Sequence, residues 1–297
     1  MPSVRILLLT SLAMLAFALN SLLCRIALRD TGIDAATFTS VRLVSGALML
    51  WLIVRLRGDP KPGTGTWPSA IALFAYAAAF SFAYLSLTAA TGALLLFGAV
   101  QVTMIGYGLW KGERLVGAQL LGFVLASGGL IGLLLPGLSA PPLHGALLML
   151  TAGVAWGVYS LRGKGMGDPT RVTAGNFMRT VPITALLSLW MIGDAASDAA
   201  GFAYAVASGA LASAIGYAIW YSALPALRAT TAATVQLSVP VIAAAGGIML
   251  LGEPITLRLV VASIAILGGI ALVITGKSAA KQVEGTRVAP ASRNQGK

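Results

Sequence analysis

Cysteine and histidine are nearly missing from this chain of 297 residues. The single cysteine, Cys24, excludes a disulfide within the chain, and the single histidine, His144, excludes a metal site built from several histidines. We therefore predict a protein without a cofactor or a metal. No cluster of His, Asp and Glu and no nucleophile beside a base stands out, so an enzyme is not expected.

Charged side chains are also scarce. Only 10% of residues are charged, against about a quarter in soluble proteins, while 58% are hydrophobic and the mean hydropathy is +0.88. This composition is typical of an integral membrane protein with membrane lipids as partners. The net charge of +11 comes from basic residues that stand singly at the ends of apolar segments, which favours membrane orientation over nucleic-acid binding.

Apolar stretches of roughly 18–25 residues, long enough to cross a bilayer, divide the chain. They predict an all-α integral membrane protein with ten transmembrane helices around a central cavity. The remaining segment, 277–297, is polar and is predicted to be a disordered cytoplasmic tail. The predicted spans are 4–28, 35–56, 67–88, 91–110, 115–135, 143–161, 171–192, 199–224, 229–250 and 256–275.

Two landmarks indicate that the chain contains the same unit twice. Gly112-Glu113 and Gly252-Glu253 are 140 positions apart, and each is followed by a glycine pair, Gly128-Gly129 or Gly268-Gly269. The first and sixth spans correspond as well, at a spacing of 139 residues. Their matching positions are Phe17, Ser21 and Arg25 in the first span and Trp156, Ser160 and Lys164 in the sixth.

Each copy is predicted to hold five spans, in residues 1–137 and 138–276. An odd number of spans means that the second copy is inserted upside down. Such inverted repeats are how many secondary transporters open one central site alternately to the two faces of a membrane.

Basic residues at the span ends predict the orientation, because Lys and Arg are retained on the cytoplasmic side. With the N-terminus inside, fifteen of the twenty Lys and Arg fall on the cytoplasmic side and only Arg25, Arg29 and Arg258 on the other. We therefore predict a multi-pass protein of the cell inner (plasma) membrane with both termini in the cytoplasm.

Aromatic residues in the middle of spans are candidates for a solute site. Tyr76, Phe80 and Tyr84 recur every four residues on one face of the third span. Rings away from the interfacial belts favour a cavity wall for a flat neutral or zwitterionic solute, although lipid contact or ordinary packing explains any single ring equally well. The other aromatic candidates are Phe17, Trp156, Tyr159, Tyr217, Trp220 and Tyr221.

Amides inside the spans are few. Asn20 and Gln101 are predicted to orient the solute, and Asn176 and Gln236 are further intramembrane amides. Hydrogen bonding between helices is the alternative for each of them. Pro240 is predicted to kink the ninth span and to act in gating, or to form a passive bend.

Arg42 and Arg179 occupy equivalent positions of the second and seventh spans. Each can extend its guanidinium to the headgroups or pair structurally, and the alternative is that it attracts solute carboxylates. No Asp or Glu is predicted in the middle of a span. This favours solute movement that is weakly coupled or uncoupled to ions.

The pattern resembles the EamA type of the drug/metabolite transporter superfamily. The resemblance rests on the five-plus-five spans, the Gly-Glu after the fourth span of each copy, Pro240 before the second Gly-Glu and the glycine pairs, and it extends to Gly276. The chain looks most like the YddG-type exporters of aromatic amino acids. The resemblance implies a cavity lined by the first, third, fourth, sixth, eighth and ninth spans. Family members often have a proline where this chain has Val100.

These features together predict a secondary transporter that exports small amphiphilic metabolites, foremost aromatic and other bulky neutral amino acids, by alternating access. A multidrug or nucleotide-sugar carrier of the same fold is the alternative, although sugar nucleotides would call for several basic cavity residues. An intramembrane enzyme and a non-transporting scaffold are alternatives from other classes. The expected partner is a small-molecule substrate, and the assembly state is left open, with a monomer among the options.

Overall fold

The computed structural model describes residues 4–58, 65–112, 114–115, 117–137, 140–163, 166–227 and 235–287, with side chains as far as Ile274. Regular structure within these residues is entirely helical. The helices are α1 (Val4–Asp30), α2 (Ala35–Leu56), α3 (Trp67–Tyr84), α4 (Ala89–Trp110), α5 (Ala118–Leu134), α6 (Leu143–Arg162), α7 (Pro169–Trp190), α8 (Ala199–Ala226, with a π-helical segment at Ala207–Ile215), α9 (Ser238–Leu251) and α10 (Leu257–Arg287).

Seven of the described helices are long and apolar enough to cross a membrane, namely α1 to α4, α6, α8 and the Leu257–Ile274 part of α10. The helices α5 and α9 are apolar but only 17 and 14 residues long. Arg171, Asn176 and Arg179 make α7 more polar than the others. The all-helical membrane class is confirmed, whereas ten spans in two inverted repeats stay a prediction.

The C-terminal helix extends further than the apolar pattern. Its backbone continues to Arg287, so the first part of the segment predicted as a disordered tail is helical. Residues 288–297 lie outside the described residues. Disorder of the tail therefore stays a prediction for them.

Pro240 does not lie midway along a continuous helix. The backbone turns at Leu237 and α9 begins at Ser238, so Pro240 falls in the first turn of α9. Val235 and Gln236, which precede Leu237, are helical as well, so the helical path is interrupted by a single residue. A kink of the ninth span at Pro240 and a role in gating both stay predictions. Among the described helices, α7 contains a proline in its interior, Pro182.

Two aspartates fix helix starts and also join distant parts of the chain. Asp34 caps α2 and Asp198 caps α8. Asp34 also accepts a hydrogen bond from the backbone N–H of Ala196 (2.9 Å), and Asp198 accepts one from that of Gly32 (3.0 Å). Hydrogen bonds from Gly32 and Gly201 lower the pKa of Asp198. The turn after α1 is therefore tied to the segment before α8.

Glycines allow the closest helix contacts. Gly122 of α5 and Gly269 of α10 each face the other's carbonyl oxygen, where a β-carbon would not fit. Gly209 of α8 faces the carbonyl of Arg42 in α2 in the same way. The helices α5 and α10 pack mainly against each other and reach the rest of the bundle chiefly through α4. The candidate site lies among six of the other helices, α1, α3, α4, α6, α7 and α8.

Candidate functional site

A cavity of about 400 Å³ lies among α1, α3, α4, α6, α7 and α8. It extends from the buried Asn20 and Tyr76 to the exposed Gly163 and Gly167 at the connection between α6 and α7. Its volume is in the range of sites for small molecules. The predicted solute-binding residues that line it are Phe17, Asn20, Tyr76, Phe80, Trp156, Tyr159, Tyr217, Trp220 and Tyr221.

Two predicted site residues do not line the cavity. Tyr84 is fully buried one turn beyond it, packs edge-on against Phe80 at 4.8 Å between ring centroids, and donates to the carbonyl of Ala89 at 3.4 Å. Gln101 is half-buried on α4, whose lining residues include Val100. Consecutive helical residues point about 100° apart, so Val100 and Gln101 face different directions. Solute binding by all eleven residues stays a prediction.

Trp156 is the centre of the aromatic wall. Its ring stacks on Tyr217 at 5.4 Å and 20°, and on Tyr159 at 5.3 Å and 29°. Tyr76 approaches it to 4.8 Å from α3, and Phe17 of α1 contacts Tyr217 at 5.6 Å. Offset and tilted rings at these distances attract each other beyond simple burial. Four helices thus build one ring-lined wall with large flat surfaces.

A chain of hydrogen bonds crosses the buried end of the cavity. The Ser208 hydroxyl donates to Asn20 Oδ1 at 2.6 Å, and Asn20 Nδ2 donates to the Tyr76 hydroxyl at 3.4 Å. The Arg42 guanidinium donates to the same Tyr76 oxygen at 3.0 Å. The chain links α8, α1, α3 and α2. It holds two cavity residues, Asn20 and Tyr76, in fixed orientations.

The two intramembrane arginines have different surroundings. Arg42 is only 2% exposed and its guanidinium carbon lies 4.8 Å from the Phe80 ring centroid and 5.3 Å from that of Tyr76. Arg179 is half-buried and donates to the carbonyl of Gly175 on its own helix. Arg42 therefore points into the protein, behind the cavity wall, rather than toward the headgroups.

A second polar group lies nearer the exposed end. Asn176 of α7 donates to the Tyr159 hydroxyl at 3.4 Å and accepts from the backbone N–H of Thr66 at 2.8 Å. Asn176 and Gln236, both noted in the sequence as intramembrane amides, line the cavity. Ser213 was missed, because small hydroxyl residues are common in membrane helices and carry no distinguishing pattern.

The other end of the bundle is closed by an ion pair. Arg25 Nε of α1 lies 3.3 Å from Glu253 Oε1 in the connection between α9 and α10, and both side chains are largely buried. Glu253 Oε2 accepts from the backbone N–H of Ala89 at the start of α4 (2.8 Å), and Arg25 donates to the carbonyl of Tyr84 (2.8 Å). The pair therefore connects α1, the α3–α4 turn and the α9–α10 connection. The sequence analysis used Glu253 as a landmark of the repeat and did not anticipate its pairing with Arg25.

Residues 143–275 match the EamA-like transporter family. An uncharacterized protein of Pseudomonas aeruginosa is 63% identical over 275 residues, which make up 92% of this chain and 96% of that protein. An uncharacterized transporter of Archaeoglobus fulgidus is 29% identical over 259 residues, 80% of this chain and 86% of its own. One crystal structure, 19% identical, aligns over 89% of this chain and 96% of its own with a TM-score of 0.62, so it shares the fold.

Proposed function

We propose that the chain is a secondary carrier of the cell inner membrane that exports small amphiphilic metabolites, a proposal supported by the match of residues 143–275 to the EamA-like transporter family. Aromatic and other bulky neutral amino acids are the leading substrates. The observation that supports this is a cavity with a wall of rings and a polar network at its buried end. Rings offer a large contact area that tolerates different shapes, and fixed polar groups orient the solute.

The topology that we propose is ten spans in two inverted five-helix repeats, 1–137 and 138–276, with α5, α7 and α9 completing the set. The polar α7 is compatible with a membrane position because protein shelters its amide. Asn176 is 1% exposed and bonded to Tyr159 and Thr66. Polar groups at membrane depth are tolerated where protein partners satisfy them.

The structure corresponds, in this proposal, to a state open to the cytoplasm. The exposed end of the cavity lies at the α6–α7 connection, next to Arg162 and Arg171, and basic residues favour the cytoplasmic side. The Arg25–Glu253 pair is at the opposite end of the bundle. A carrier in this state loads solute from the cytoplasm, as an exporter must, and alternating access would then release it outside.

Removing the central ring tests this proposal. Trp156 has close ring contacts with Tyr76, Tyr159 and Tyr217, each worth about 0.5–1.5 kcal/mol beyond burial. We expect Trp156→Ala to reduce counterflow of labelled tryptophan in proteoliposomes by about tenfold or more. The matched control is Trp190→Ala on α7, which is 81% exposed and should leave counterflow unchanged.

The same assay separates the alternatives when unlabelled solutes compete with the labelled one. Displacement by several bulky amino acids supports the proposed substrate class. Displacement by sugar nucleotides or lipophilic cations, with no effect of amino acids, would replace it with the alternative carriers. Folded protein that moves none of these solutes would contradict the proposal of a carrier.

A further inference from the structure

We infer that the buried end of the cavity is a carboxylate site in which Tyr76 and Arg42 select solutes with a free carboxylate. This inference rests on the proposed function and defines its substrate class more closely. It starts from the donors and acceptors of the polar network. Ser208 donates to Asn20 Oδ1, which directs the Asn20 amide N–H toward Tyr76. Arg42 donates to the same phenolic oxygen.

Tyr76 is left with a hydrogen to donate. A phenolic oxygen accepts at two lone pairs and donates one hydrogen. The lone pairs face Asn20 and Arg42, so the O–H of Tyr76 has to point to a third group. Tyr76 lines the cavity. A solute oxygen placed there can accept this hydrogen bond.

Arg42 is a buried cation without a resident counter-ion. Its Nη1 is buried and has no hydrogen-bond partner, and neither ion pair found in the described part of the chain includes it. The rings of Tyr76 and Phe80 lie over its guanidinium, and Tyr217 and Cys24 are near enough to interact with it electrostatically. All of these are neutral in their ordinary state near neutral pH. Contacts with rings compensate a buried cation only in part, and a hydrogen-bonded anion compensates it far better.

The Ser213 hydroxyl is a further donor that lines the cavity. It is buried without a partner and belongs to the π-helical segment that also carries Ser208. Tyr76 and Ser213 thus offer donors to the cavity from α3 and α8, and Arg42 supplies one uncompensated positive charge from behind Tyr76. A carboxylate matches this set, since it accepts several hydrogen bonds and supplies the missing negative charge. The aromatic rings around Trp156 would then contact the apolar part of the solute.

Matched acid and amide ligands test the inference. The probes are tryptophan with tryptophanamide, and indole-3-propionate with its amide. Ligand-dependent thermal stabilisation of the purified protein, followed by circular dichroism, gives apparent affinities. We expect each acid to bind the unaltered protein about tenfold or more tightly than its amide, because hydrogen bonds to charged groups are the strong ones. Equal affinity within the pairs, or no binding of either member of any pair, overturns the inference.

Variants of the network give the second test. Arg42→Gln and Tyr76→Phe should each lose most of the preference for acids while their affinity for the amides changes by less than about twofold. Equal weakening of acids and amides would show a purely structural role and overturn the inference. The proposal that the protein is a carrier is tested separately, by the counterflow assay.

A third test keeps Arg42 and introduces a carboxylate into the protein as its counter-ion. Cys24 is buried and near enough to Arg42 to interact with it electrostatically, so Cys24→Asp adds a carboxylate close to the guanidinium. We expect the acid preference to disappear in Cys24→Asp and to persist in the neutral control Cys24→Ser. Retention of the acid preference in a folded Cys24→Asp protein would overturn the inference.

Discussion

Gly209 illustrates, at the scale of a single residue, how the site depends on a missing side chain. It lies in the π-helical segment next to Ser208, and a β-carbon there would meet the carbonyl of Arg42 and the hydroxyl of Ser45. A backbone carbonyl cannot move aside as the end of a flexible side chain can. A larger residue would therefore separate α8 from α2 and disturb the network that Ser208 begins.

We expect Gly209→Ala to lower the free energy of unfolding by about 1–3 kcal/mol, the usual cost of overpacking. The matched control is Gly128→Ala on α5, where a β-carbon meets nothing within 4 Å and the change should stay within about 0.5 kcal/mol. Thermal unfolding in detergent gives the comparison. Equal destabilisation of both variants would contradict the close contact of α2 with α8.

At the scale of helices, the Arg25–Glu253 pair fixes one end of the bundle. We expect Glu253→Gln to loosen this end, because the substitution removes the charge that faces Arg25 and weakens the acceptor for the N–H of Ala89. A thiol placed in the cavity by Ser21→Cys, in a Cys24→Ala background, should then react faster with a membrane-impermeant maleimide added outside cells.

The matched control is the neighbouring exposed pair of Arg29 and Asp30. Solvent screens such pairs, which contribute about 0–1 kcal/mol, so Asp30→Asn should leave the labelling rate unchanged. A rate that does not rise in Glu253→Gln, or that rises equally in both variants, would contradict a specific closure at this end.

Helix positions were largely predictable, whereas helix geometry was not. The predicted span 35–56 coincides with α2 (Ala35–Leu56), since apolar length and flanking polar residues determine both. The π-helical segment of α8 and the start of α9 at Ser238 leave no trace in hydropathy, which reports burial and not helical pitch.

Helical periodicity was sufficient to predict which residues of a single helix face the cavity. Tyr76 and Phe80 share a face and both reach the cavity, while Tyr84 continues that face one turn too far. The pair of Arg25 with Glu253 joins residues 228 positions apart. Such a contact depends on the arrangement of the whole bundle, which a single sequence does not specify.

At the scale of the whole molecule, the two halves of the chain share one interior. Asn20 of the first half bonds Ser208 of the second, Arg25 pairs with Glu253, and Asp34 accepts from Ala196. The cavity takes rings from both halves, with Phe17 against Tyr217 and Tyr76 against Trp156. Neither half encloses the site alone. We therefore expect them to act as two parts of one carrier and not as independent domains.

The central claim, two inverted five-helix repeats around one solute cavity, is tested most directly by the sidedness of two introduced thiols. Ala140→Cys lies between the fifth and sixth predicted spans, and Ala280→Cys lies after the tenth, each in a Cys24→Ala background. A membrane-impermeant maleimide added to intact cells should label position 140, and position 280 only after permeabilisation. Labelling of both positions from the same side would contradict the inverted repeat and the transport cycle proposed from it.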